Sequence, residues 1–540
     1  MSRTLRTIVS VVLALVALFL APAPSYWGQC NITEQKLHAS DGGVGDQFGF
    51  ASSLDGDQLA VGAQWDSDLG SKSGSVYLYE QSSGLWKQTV KLHASDGEWF
   101  DYFGSSVQLQ GDCLFIAATN ADSTVAVDSG AVYFFQKQGG VWKETQKLTA
   151  SDGAVGDSFG SSISYHGNRL VVGAHEDIAG TVSFVGSVYV FELQGGVWIQ
   201  TAKLVPNSSA PAGMFGYAVG LYDKTVVIGA PAGWYTPIVG SLSVFELQGD
   251  GTWLESAILA PSDGSPGNLF GRAVAFDGIT IVAGSPWNNG KGAAYVFQKK
   301  AGIWTQIQKL TTSDGKVGDF FGNDIALDSK RMLIGDRDNA FSMGAAYLFM
   351  SVNDTWIEYK KFTASDGSSL DMYGISVDLD GSEALIGAYS DDDLGWQSGS
   401  AYTLSLASLC TQTNTLSVSS GGIQTFMLNA GFPHAFNSYL LLGSVSGMSP
   451  GLYIGGFTIP LNVDTYTFHT LISPNSPPLA NSVGVLDSSG KATASFSLPA
   501  GSSPSLAGLT VHHAYVVLKL TPTLLELVHA SNAVQLNLIP

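Results

Sequence analysis

Large aromatic side chains and carboxylates occur together in several loop-like segments, and this pairing is the main sign of chemistry in the sequence. Aromatic rings stack on sugars, while carboxylates meet basic groups of a partner or hold metal ions. The alternative is an ordinary set of solvated loop tips whose tryptophans fold over neighbouring structure, and the sequence leaves both open. The candidate ligand-binding residues are Trp65, Asp66, Asp68, Glu176, Asp177, Trp234, Tyr235, Trp287, Asp391, Asp392, Asp393 and Trp396.

A second set of carboxylates recurs in the segment Ala-Ser-Asp-Gly and its close variants, each followed by another aspartate, as in Asp41 with Asp46 and Asp96 with Asp101. A ring of these residues could attract cations. Ser-Asp-Gly is also a common turn sequence, in which the aspartate accepts a hydrogen bond from the backbone two residues on. Because the segment hardly changes between copies, we favour the turn.

No motif of a known catalytic site is present in the sequence. The chain lacks a G-x-S-x-G segment, a phosphate-binding loop and a dinucleotide-binding segment, and its nine histidines are scattered. His512 and His513 are adjacent in a predicted strand, where neighbouring side chains point to opposite faces and cannot chelate one ion together. We therefore assign no catalytic residues, and the sequence does not support an enzyme.

Composition narrows the class of protein further. Asp and Glu number 45 against 25 Lys and Arg, which gives a net charge of −20. Such a chain is repelled by phosphate backbones, so nucleic acid is not an expected partner. The 64 glycines, with only 13% charged and 45% hydrophobic residues, are typical of an all-β, turn-rich globular protein.

Internal repeats position the candidate loops. The dipeptide Phe-Gly, replaced by Tyr-Gly in the last copy, recurs seven times between Phe48 and Tyr373 at spacings of 51 to 56 residues. Four short segments follow each copy, rich in β-branched residues and bounded by Gly or Asp, as is typical of strands. Four strands in a repeat of this length make one propeller blade. We predict a seven-bladed β-propeller, with the loops between strands 2 and 3 and between blades on one face.

The ends of the repeat region indicate how the ring closes. A tryptophan begins the fourth strand of six blades, so seven Phe-Gly starts are matched by only six fourth strands. The missing strand matches the beginning of the chain, because the segment 33–37 resembles the segment 145–148. We predict that this N-terminal strand is the outer strand of blade 7, which leaves no unpaired edge at the seam.

The repeats resemble FG-GAP repeats, which build the propellers of integrin α-subunit heads and of secreted bacterial proteins. The "FG" part is the dipeptide described above, and the "GAP" part is complete at Gly229-Ala230-Pro231 and looser in four other blades. The resemblance implies extracellular adhesion or recognition, and no defined reaction. Integrin blades hold calcium in an aspartate-rich hairpin, but the hairpin at 55–57 is minimal and offers too few oxygens. We therefore predict no metal site and no cofactor, with calcium as the alternative that the sequence leaves open.

Both ends of the chain differ from the repeats. Residues 1–25 combine Arg3 and Arg6 with an apolar run and small residues at 23 and 25, which is typical of a secretory signal peptide. No later stretch is apolar enough to span a bilayer. We expect a propeller over 26–409, a small β-sandwich-like domain over 410–540, and a protein that is secreted or held at the cell surface.

Two cysteines occupy matching positions near the seam of the ring. Cys30 and Cys410 each stand one residue before the place of the fourth-strand tryptophan of blade 7. The chain that leaves this blade and the chain that enters it should therefore nearly meet, in a compartment that oxidises thiols. We predict a Cys30–Cys410 disulfide, which leaves Cys113 unpaired; two reduced thiols are the alternative.

Two functions are consistent with these features. The first is a non-enzymatic adhesion or recognition protein that binds an extracellular protein or a polysaccharide through the variable loops. The second is a carbohydrate-active protein, either lectin-like or a polysaccharide lyase, that uses the aromatic loops of the same face. Sugar binding through Trp65, Trp234 or Trp396 would favour the second.

Overall fold

The structure is a computed structural model that describes most of residues 33–540 in two compact units, one comprising Glu34–Leu404 and one built on Ser405–Pro540. Outside the description are residues 1–32, 83–84, 179–184, 207–212, 233–237, 329, 353, 382, 407–408, 412–413, 431–433, 435, 455–456, 488–489 and 521–524. The predicted signal peptide and Cys30 lie in the first of these segments. Within the described chain, no helix has the length and apolar character needed to cross a bilayer.

The described residues of the first unit form seven four-stranded sheets, which confirms the predicted propeller. Blades 1 to 3 consist of Phe48–Asp55, Gln58–Ala63, Ser75–Ser82 and Leu85–Leu92; Phe103–Gln110, Cys113–Ala118, Ala131–Gln138 and Val141–Leu148; and Phe159–His166, Arg169–Ala174, Ser187–Gln194 and Val197–Leu204. Blades 4 and 5 consist of Ala218–Tyr222, Thr225–Ala230, Ser241–Leu247 and Trp253–Leu259; and Val274–Phe276, Thr280–Ser285, Ala293–Lys300 and Ile303–Leu310. Blades 6 and 7 consist of Ile325–Asp328, Arg331–Asp336, Ala345–Val352 and Thr355–Phe362; and Val377–Asp380, Glu383–Ala388, Ser400–Ser405 and Thr33–Leu37.

The two glycines of the repeat signature make one contact between neighbouring blades. Gly62 ends strand 2 of blade 1, and a Cβ added there would stand 2.1 Å from the carbonyl oxygen of Gly104 in blade 2. Gly104 itself has a φ of 92°, which disfavours any other residue. The same pairing recurs where Gly229 faces Gly271. The "FG" and "GAP" glycines are therefore kept because the sheets approach at these points.

Aromatic residues fill the space between these glycines. The phenylalanine of Phe-Gly packs edge-on against a tyrosine of strand 3, with ring centroids 5.4 Å apart for Phe48 and Tyr77 and 5.5 Å apart for Phe103 and Tyr133. All four side chains are fully buried. Edge-to-face packing adds about 0.5–1.5 kcal/mol per pair to the burial of the rings. In blades 1 and 2 the core thereby fixes the tyrosine whose hydroxyl lies at the base of the loops.

The N-terminal strand closes the ring as predicted. Thr33–Leu37 pairs with Ser400–Ser405 as the outer strand of blade 7. It also joins blade 1, because the Gln35 side chain donates to the Trp86 carbonyl (2.8 Å) and accepts from the Trp86 amide (2.9 Å). Strand 1 of blade 7 in turn accepts from blade 1, where the Leu54 amide donates to Asp378 (2.7 Å). Blade 7 and blade 1 are therefore joined at both the rim and the axis.

The second unit contains two facing sheets, in agreement with the predicted sandwich. One sheet consists of Leu409–Thr411, Gly422–Asn429, Lys491–Leu498 and Leu479–Ala480, and the other of Thr415–Ser417, Val534–Ile539, Thr510–Leu520, Ser438–Ser444, Val483–Val485 and Leu525–Ala530. Side chains from both sheets, such as Phe426 and Tyr515, share one buried cluster. The hairpin Leu452–Ile454 and Phe457–Ile459 and the helix Thr465–Ile472 complete the unit. Asp464 caps this helix by accepting from the Thr467 amide.

Candidate functional site

Two kinds of loop share one face of the propeller, because successive strands of a blade run in opposite directions. We call this the loop face. It comprises the loops between blades (38–47, 93–102, 149–158, 205–217, 260–273, 311–324, 363–376) and the loops between strands 2 and 3 (64–74, 119–130, 175–186, 231–240, 286–292, 337–344, 389–399). The opposite face carries the short turns between strands 1 and 2 and between strands 3 and 4. We call it the turn face.

A network of carboxylates, a tyrosine and a lysine holds the base of the loops in blade 1. The Tyr77 hydroxyl donates to Asp41 (2.9 Å) and to Asp66 (2.8 Å). The Lys91 ammonium donates to Asp41 (2.8 Å), Asp66 (2.9 Å) and Asp68 (2.6 Å). Two loops of different origin are thus tied to strands 3 and 4 of the same blade. The network is built from the Ala-Ser-Asp-Gly aspartate and from two candidate ligand-binding residues.

The network recurs around the ring. Its tyrosine, loop aspartate and lysine are Tyr133, Asp96 and Lys147; Tyr189, Asp152 and Lys203; Tyr295, Asp263 and Lys309; Tyr347, Asp314 and Lys361; and Tyr402, Asp366 and Lys36. The lysine also reaches the loop between strands 2 and 3, at Asp177 in blade 3 (2.7 Å) and at Asp391 in blade 7 (2.8 Å). In blades 5 and 6 this position is Asn288 or Asn339.

The pKa values follow from these contacts. Burial alone would raise the pKa of Asp41, but hydrogen bonds from Lys91 and Tyr77 outweigh it and lower that pKa. Burial would lower the pKa of Lys91, and the three aspartates instead raise it. Burial, together with the charge of Asp66, raises the pKa of Tyr77. Lys91 and Asp41 therefore stay charged, and Tyr77 stays neutral, around neutral pH.

The second aspartate of each inter-blade loop makes a local turn. Asp46 accepts a hydrogen bond from the Gly43 amide (2.6 Å), and Asp157 accepts one from the Ala154 amide (2.6 Å). The same bond is made by Asp101 and by Asp319. These carboxylates are part of the loop fold, as expected from the Ser-Asp-Gly turn.

Blade 4 departs from this pattern at every position. Ser208 replaces the loop aspartate, Gly233 the strand 2–3 aspartate, Ser243 the tyrosine and Ile258 the lysine. Ser208 and Gly233 lie outside the described residues. The loop aspartate, the tyrosine and the lysine are absent together in blade 4 and present together in the other six blades, so the sequence itself indicates that these three act as one unit.

The candidate acidic residues therefore fall into two groups. Asp66, Asp177 and Asp391 are buried in the network, with 2%, 6% and 3% of their surfaces exposed, and none presents its carboxylate to solvent. Asp68 and Asp393 stay about half exposed while they bind the same lysines. Asp392 accepts the Gln397 amide (2.7 Å). Glu176 accepts the Ser158 hydroxyl (3.1 Å).

The candidate aromatic residues are separated around the face. Trp65 is covered by the Lys72 ammonium, 3.5 Å from its ring centre. Trp287 packs edge-on against Phe320, with centroids 5.0 Å apart. Trp396 is 62% exposed. Trp234 and Tyr235 lie outside the described residues, as do Cys30 and the Cys410 side chain, so the disulfide stays a prediction. Cys113 is a free thiol in blade 2.

Exposed apolar residues of the inter-blade loops were missed by the sequence reasoning. Val44, Trp99, Val155 and Val317 occupy the same position, two residues before the second aspartate, and are 62–80% exposed. Trp99 lies over Gly70 of blade 1, where an added Cβ would stand 2.0 Å from the indole ring. The repetition of an apolar residue inside a polar turn is the signal that could have found them.

A cavity of about 360 Å³ opens among the loops of blade 2. Ala121 stands there at the position of Asp66 in blade 1, and the cavity is lined by Asp96, Asp101, Asp122 and Lys147 among others. Across the part of the chain that the structure describes, His, Cys, Asp and Glu side chains form no group of three or more that could hold a metal ion.

Comparison with known proteins identifies the repeat. The family model described as "FG-GAP repeat" matches residues 32–79, 86–135, 142–191, 198–245, 253–297, 304–349 and 356–404. No curated protein matches the sequence. Among solved structures, a periplasmic gluconolactonase of Pseudomonas aeruginosa, PpgL, is similar with a TM-score of 0.40 and 14% identity, over 59% of this chain and 86% of that chain. Since the seven matched segments cover more than half of the sequence, the chain belongs to the FG-GAP repeat family.

Proposed function

We propose that the protein is a secreted or cell-surface recognition protein without catalytic activity, which binds an extracellular partner through the loop face. One observation carries the proposal. Each exposed tryptophan or phenylalanine among the described residues of the propeller lies on the loop face: Trp99 (71%), Phe100 (45%), Phe341 (90%) and Trp396 (62%). Exposed aromatic residues of this kind are enriched at binding surfaces, where they supply most of the binding energy.

The turn face provides the contrast. Its exposed apolar residues include Leu85 (56%), Val141 (57%) and Ile303 (70%), which begin the fourth strands of their blades. Apolar residues scattered singly over a surface are normal and need no partner. Exposed tryptophan and phenylalanine side chains that the repeat does not require, found on the loop face and not on the described turn face, indicate a binding surface.

A protein partner fits the loop face better than a polysaccharide. Val44, Val155, Val317 and Leu370 add exposed aliphatic side chains to the inter-blade loops of the same face. Aliphatic groups pack against the apolar side chains of proteins and offer no flat ring for a sugar to stack on. The glycan alternative uses Trp65, Trp234 or Trp396, and of these Trp396 is 62% exposed and follows Asp392 and Asp393 in the loop of blade 7.

The test compares two matched triple variants of the chain 26–540. Trp99→Ser, Phe341→Ser and Trp396→Ser change the loop face, and Leu85→Ser, Val141→Ser and Ile303→Ser change three exposed apolar residues of the turn face. Each protein is used to capture surface proteins of the source organism and to probe a glycan array. We expect the loop-face variant to lose at least about tenfold in affinity and the turn-face variant to bind as wild type. Loss confined to the turn-face variant would contradict the proposal, and binding to glycans alone would favour the carbohydrate alternative.

A further inference from the structure

A second polar cluster, which the repeat does not explain, lies at the mouth of the ring on the loop face. Arg272 follows the Phe-Gly of blade 5, and its guanidinium carbon lies 5.0 Å from the centre of the Tyr217 ring of blade 4. The same ring contacts His175 of blade 3, with centroids 5.1 Å apart. Arg337 is the first residue of the strand 2–3 loop of blade 6, and its guanidinium carbon lies 4.7 Å from the ring centre of Phe320.

These residues converge on the axis of the propeller. Arg337 interacts electrostatically with Arg272, with Tyr217 two blades away, and with Tyr389 of blade 7. Tyr389 in turn packs edge-on against Phe50 of blade 1, with centroids 5.7 Å apart. At larger radius a blade touches only its two neighbours. Side chains from several consecutive blades therefore meet at the central opening, surrounded by the exposed apolar residues of the loop face.

The two axial arginines lack the partners that the other arginines have. After residue 25 the sequence holds four arginines. Arg169 is paired with Glu192 (2.8 Å) and Arg331 with Asp328 (2.6 Å).

The contacts of the axial pair are weaker. Arg337 has its Nε 3.7 Å from Asp338, and this buried nitrogen makes no hydrogen bond to a described residue. The Arg272 guanidinium contacts the Tyr217 ring and forms no hydrogen bond or ion pair with a described residue.

The carboxylates around the arginines are already engaged elsewhere. Glu176 accepts the Ser158 hydroxyl and lies 3.8 Å from His175. Asp338 accepts the Ser342 hydroxyl (3.2 Å). Asp324 accepts the amides of Ile325 (3.0 Å) and Val377 (2.8 Å). Two like charges consequently remain close together, and burial with the charge of Arg272 lowers the pKa of Arg337. An anion between them would relieve this repulsion.

We propose that Arg272 and Arg337 bind one carboxylate, that of an acidic side chain of the protein partner, between walls formed by Tyr217 and Tyr389. The inference rests on the proposed function, since it names the group that the loop face recognises at its centre. Guanidinium groups bind carboxylates through paired hydrogen bonds that are stronger than those between neutral groups. The aliphatic surroundings favour a protein side chain over a uronic acid as the source of the carboxylate.

The test follows the arginine side chains directly by NMR. The chain 26–540 is labelled with ¹⁵N-arginine and titrated with N-acetylglutamate at constant ionic strength. We expect the Nε–Hε signals of Arg272 and Arg337 to shift along a saturating curve, while those of Arg169 and Arg331 stay in place. N-acetylglutamine, the neutral analogue, should leave all signals unchanged. Arg272→Gln should weaken binding at Arg337 at least about tenfold, and Arg169→Gln, the matched control, should not.

Each other outcome overturns the inference. Unmoved axial signals, or equal shifts at all four arginines, would show that no selective site exists. Saturation by D-glucuronate at a lower concentration than by N-acetylglutamate would assign the site to acidic sugars instead. The titration needs no partner, so it can fail while the loop-face variants still lose capture, and the two proposals can be separated.

Discussion

The loop face carries two sets of charges, and they differ in how they are compensated. At the periphery, Asp41, Asp66 and Asp68 share the Tyr77 hydroxyl and the Lys91 ammonium at hydrogen-bond distances of 2.6–2.9 Å. At the axis, Arg272 has only an aromatic contact and Arg337 has one distant carboxylate. The peripheral charges bond loops to strands. The two axial guanidinium groups make no hydrogen bond to a described residue.

This difference in compensation indicates that the peripheral charges of the loop face serve stability and the axial charges serve recognition. A buried carboxylate with a lysine partner costs several kcal/mol when the partner is removed, because an unpaired charge is left behind. Two like charges that are only weakly compensated cost stability, and groups perturbed in this way are concentrated at functional sites. We therefore expect substitutions at the periphery to unfold the protein, and substitutions at the axis to leave the fold intact.

The largest effect is expected from the lysine of a peripheral network. Lys91→Met leaves Asp66, whose side chain is 3% exposed, without its cation. We expect the free energy of unfolding to fall by about 3 kcal/mol, measured by denaturant titration. Lys87→Met is the matched control, because Lys87 is exposed on the same strand. Equal stability of the two variants would show that the network is not structural.

A smaller effect is expected from the tyrosine. Tyr77→Phe removes the hydroxyl that donates to Asp41 and Asp66 and keeps the ring against Phe48. We expect a loss of about 1.5–3 kcal/mol, as for a hydrogen bond to a charged group. In a double-mutant cycle with Lys91→Met, the two losses should fail to add by at least about 0.5 kcal/mol. Additive losses would mean that the two residues act separately.

A pH effect should distinguish the axis from the periphery. Burial raises the pKa of Asp378, on the inner strand of blade 7, to about 7. The folded state therefore binds more protons than the unfolded state between pH 4 and 7, and the free energy of unfolding falls as pH rises through that window. Asp378→Asn should remove part of this fall. The unfolding midpoint of the variant, taken as a difference from that of wild type at the same pH, should therefore increase between pH 5 and pH 8.

The first aspartates of the inter-blade loops predict the opposite slope. Burial would raise the pKa values of Asp41, Asp96 and Asp152, but hydrogen bonds from a lysine and a tyrosine outweigh it and hold these pKa values below the usual value. Their contribution is complete above pH 4 and is lost as pH falls through their folded-state pKa. We expect wild type to lose stability below pH 4. Asp378→Asn should lose stability in the same way in that range. An Asp378→Asn variant with an unchanged pH profile throughout would contradict the assignment.

The smallest effect on stability is expected from the axial arginines. Arg337→Gln removes one of two like charges and should change the free energy of unfolding by less than about 1 kcal/mol. Arg331→Gln, which loses an ion pair with Asp328 at 2.6 Å, is the comparison. A strongly destabilised Arg337→Gln variant would show that this side chain serves the fold.

Much of the fold could be predicted because its causes repeat along the chain. Three sequence features depend on local geometry: six Phe-Gly copies with one Tyr-Gly copy, a displaced strand at 33–37, and alternating runs beyond residue 410. The blades, the closing strand and the C-terminal sheets that they predict are confirmed. The network could also have been found, since Ser243 and Ile258 depart together in the one blade that lacks the loop aspartate. Reading Asp66 as a ligand-binding residue missed this, because a lone sequence segment does not show which lysine reaches it.

The axial cluster could not be predicted in the same way. Arg272 and Arg337 are 65 positions apart, on different blades, and neither belongs to a recurring motif. They lie near each other because a closed ring brings the inner ends of its blades to one axis. The distance between the two arginine side chains depends on blade tilt and ring size, and neither can be predicted from the spacing of the repeats.

The most direct test measures the unfolding midpoint of three proteins, wild type, Lys91→Met and Arg337→Gln, with and without N-acetylglutamate. The quantity compared is the rise in midpoint that the ligand causes in each. A ligand that binds only the folded state stabilises it by an amount set by its concentration and affinity. The account predicts that Lys91→Met unfolds earlier than wild type yet gains the same increment, while Arg337→Gln starts near wild type and gains none. An increment retained by Arg337→Gln, or lost by Lys91→Met, would contradict the separation of structural periphery from binding axis.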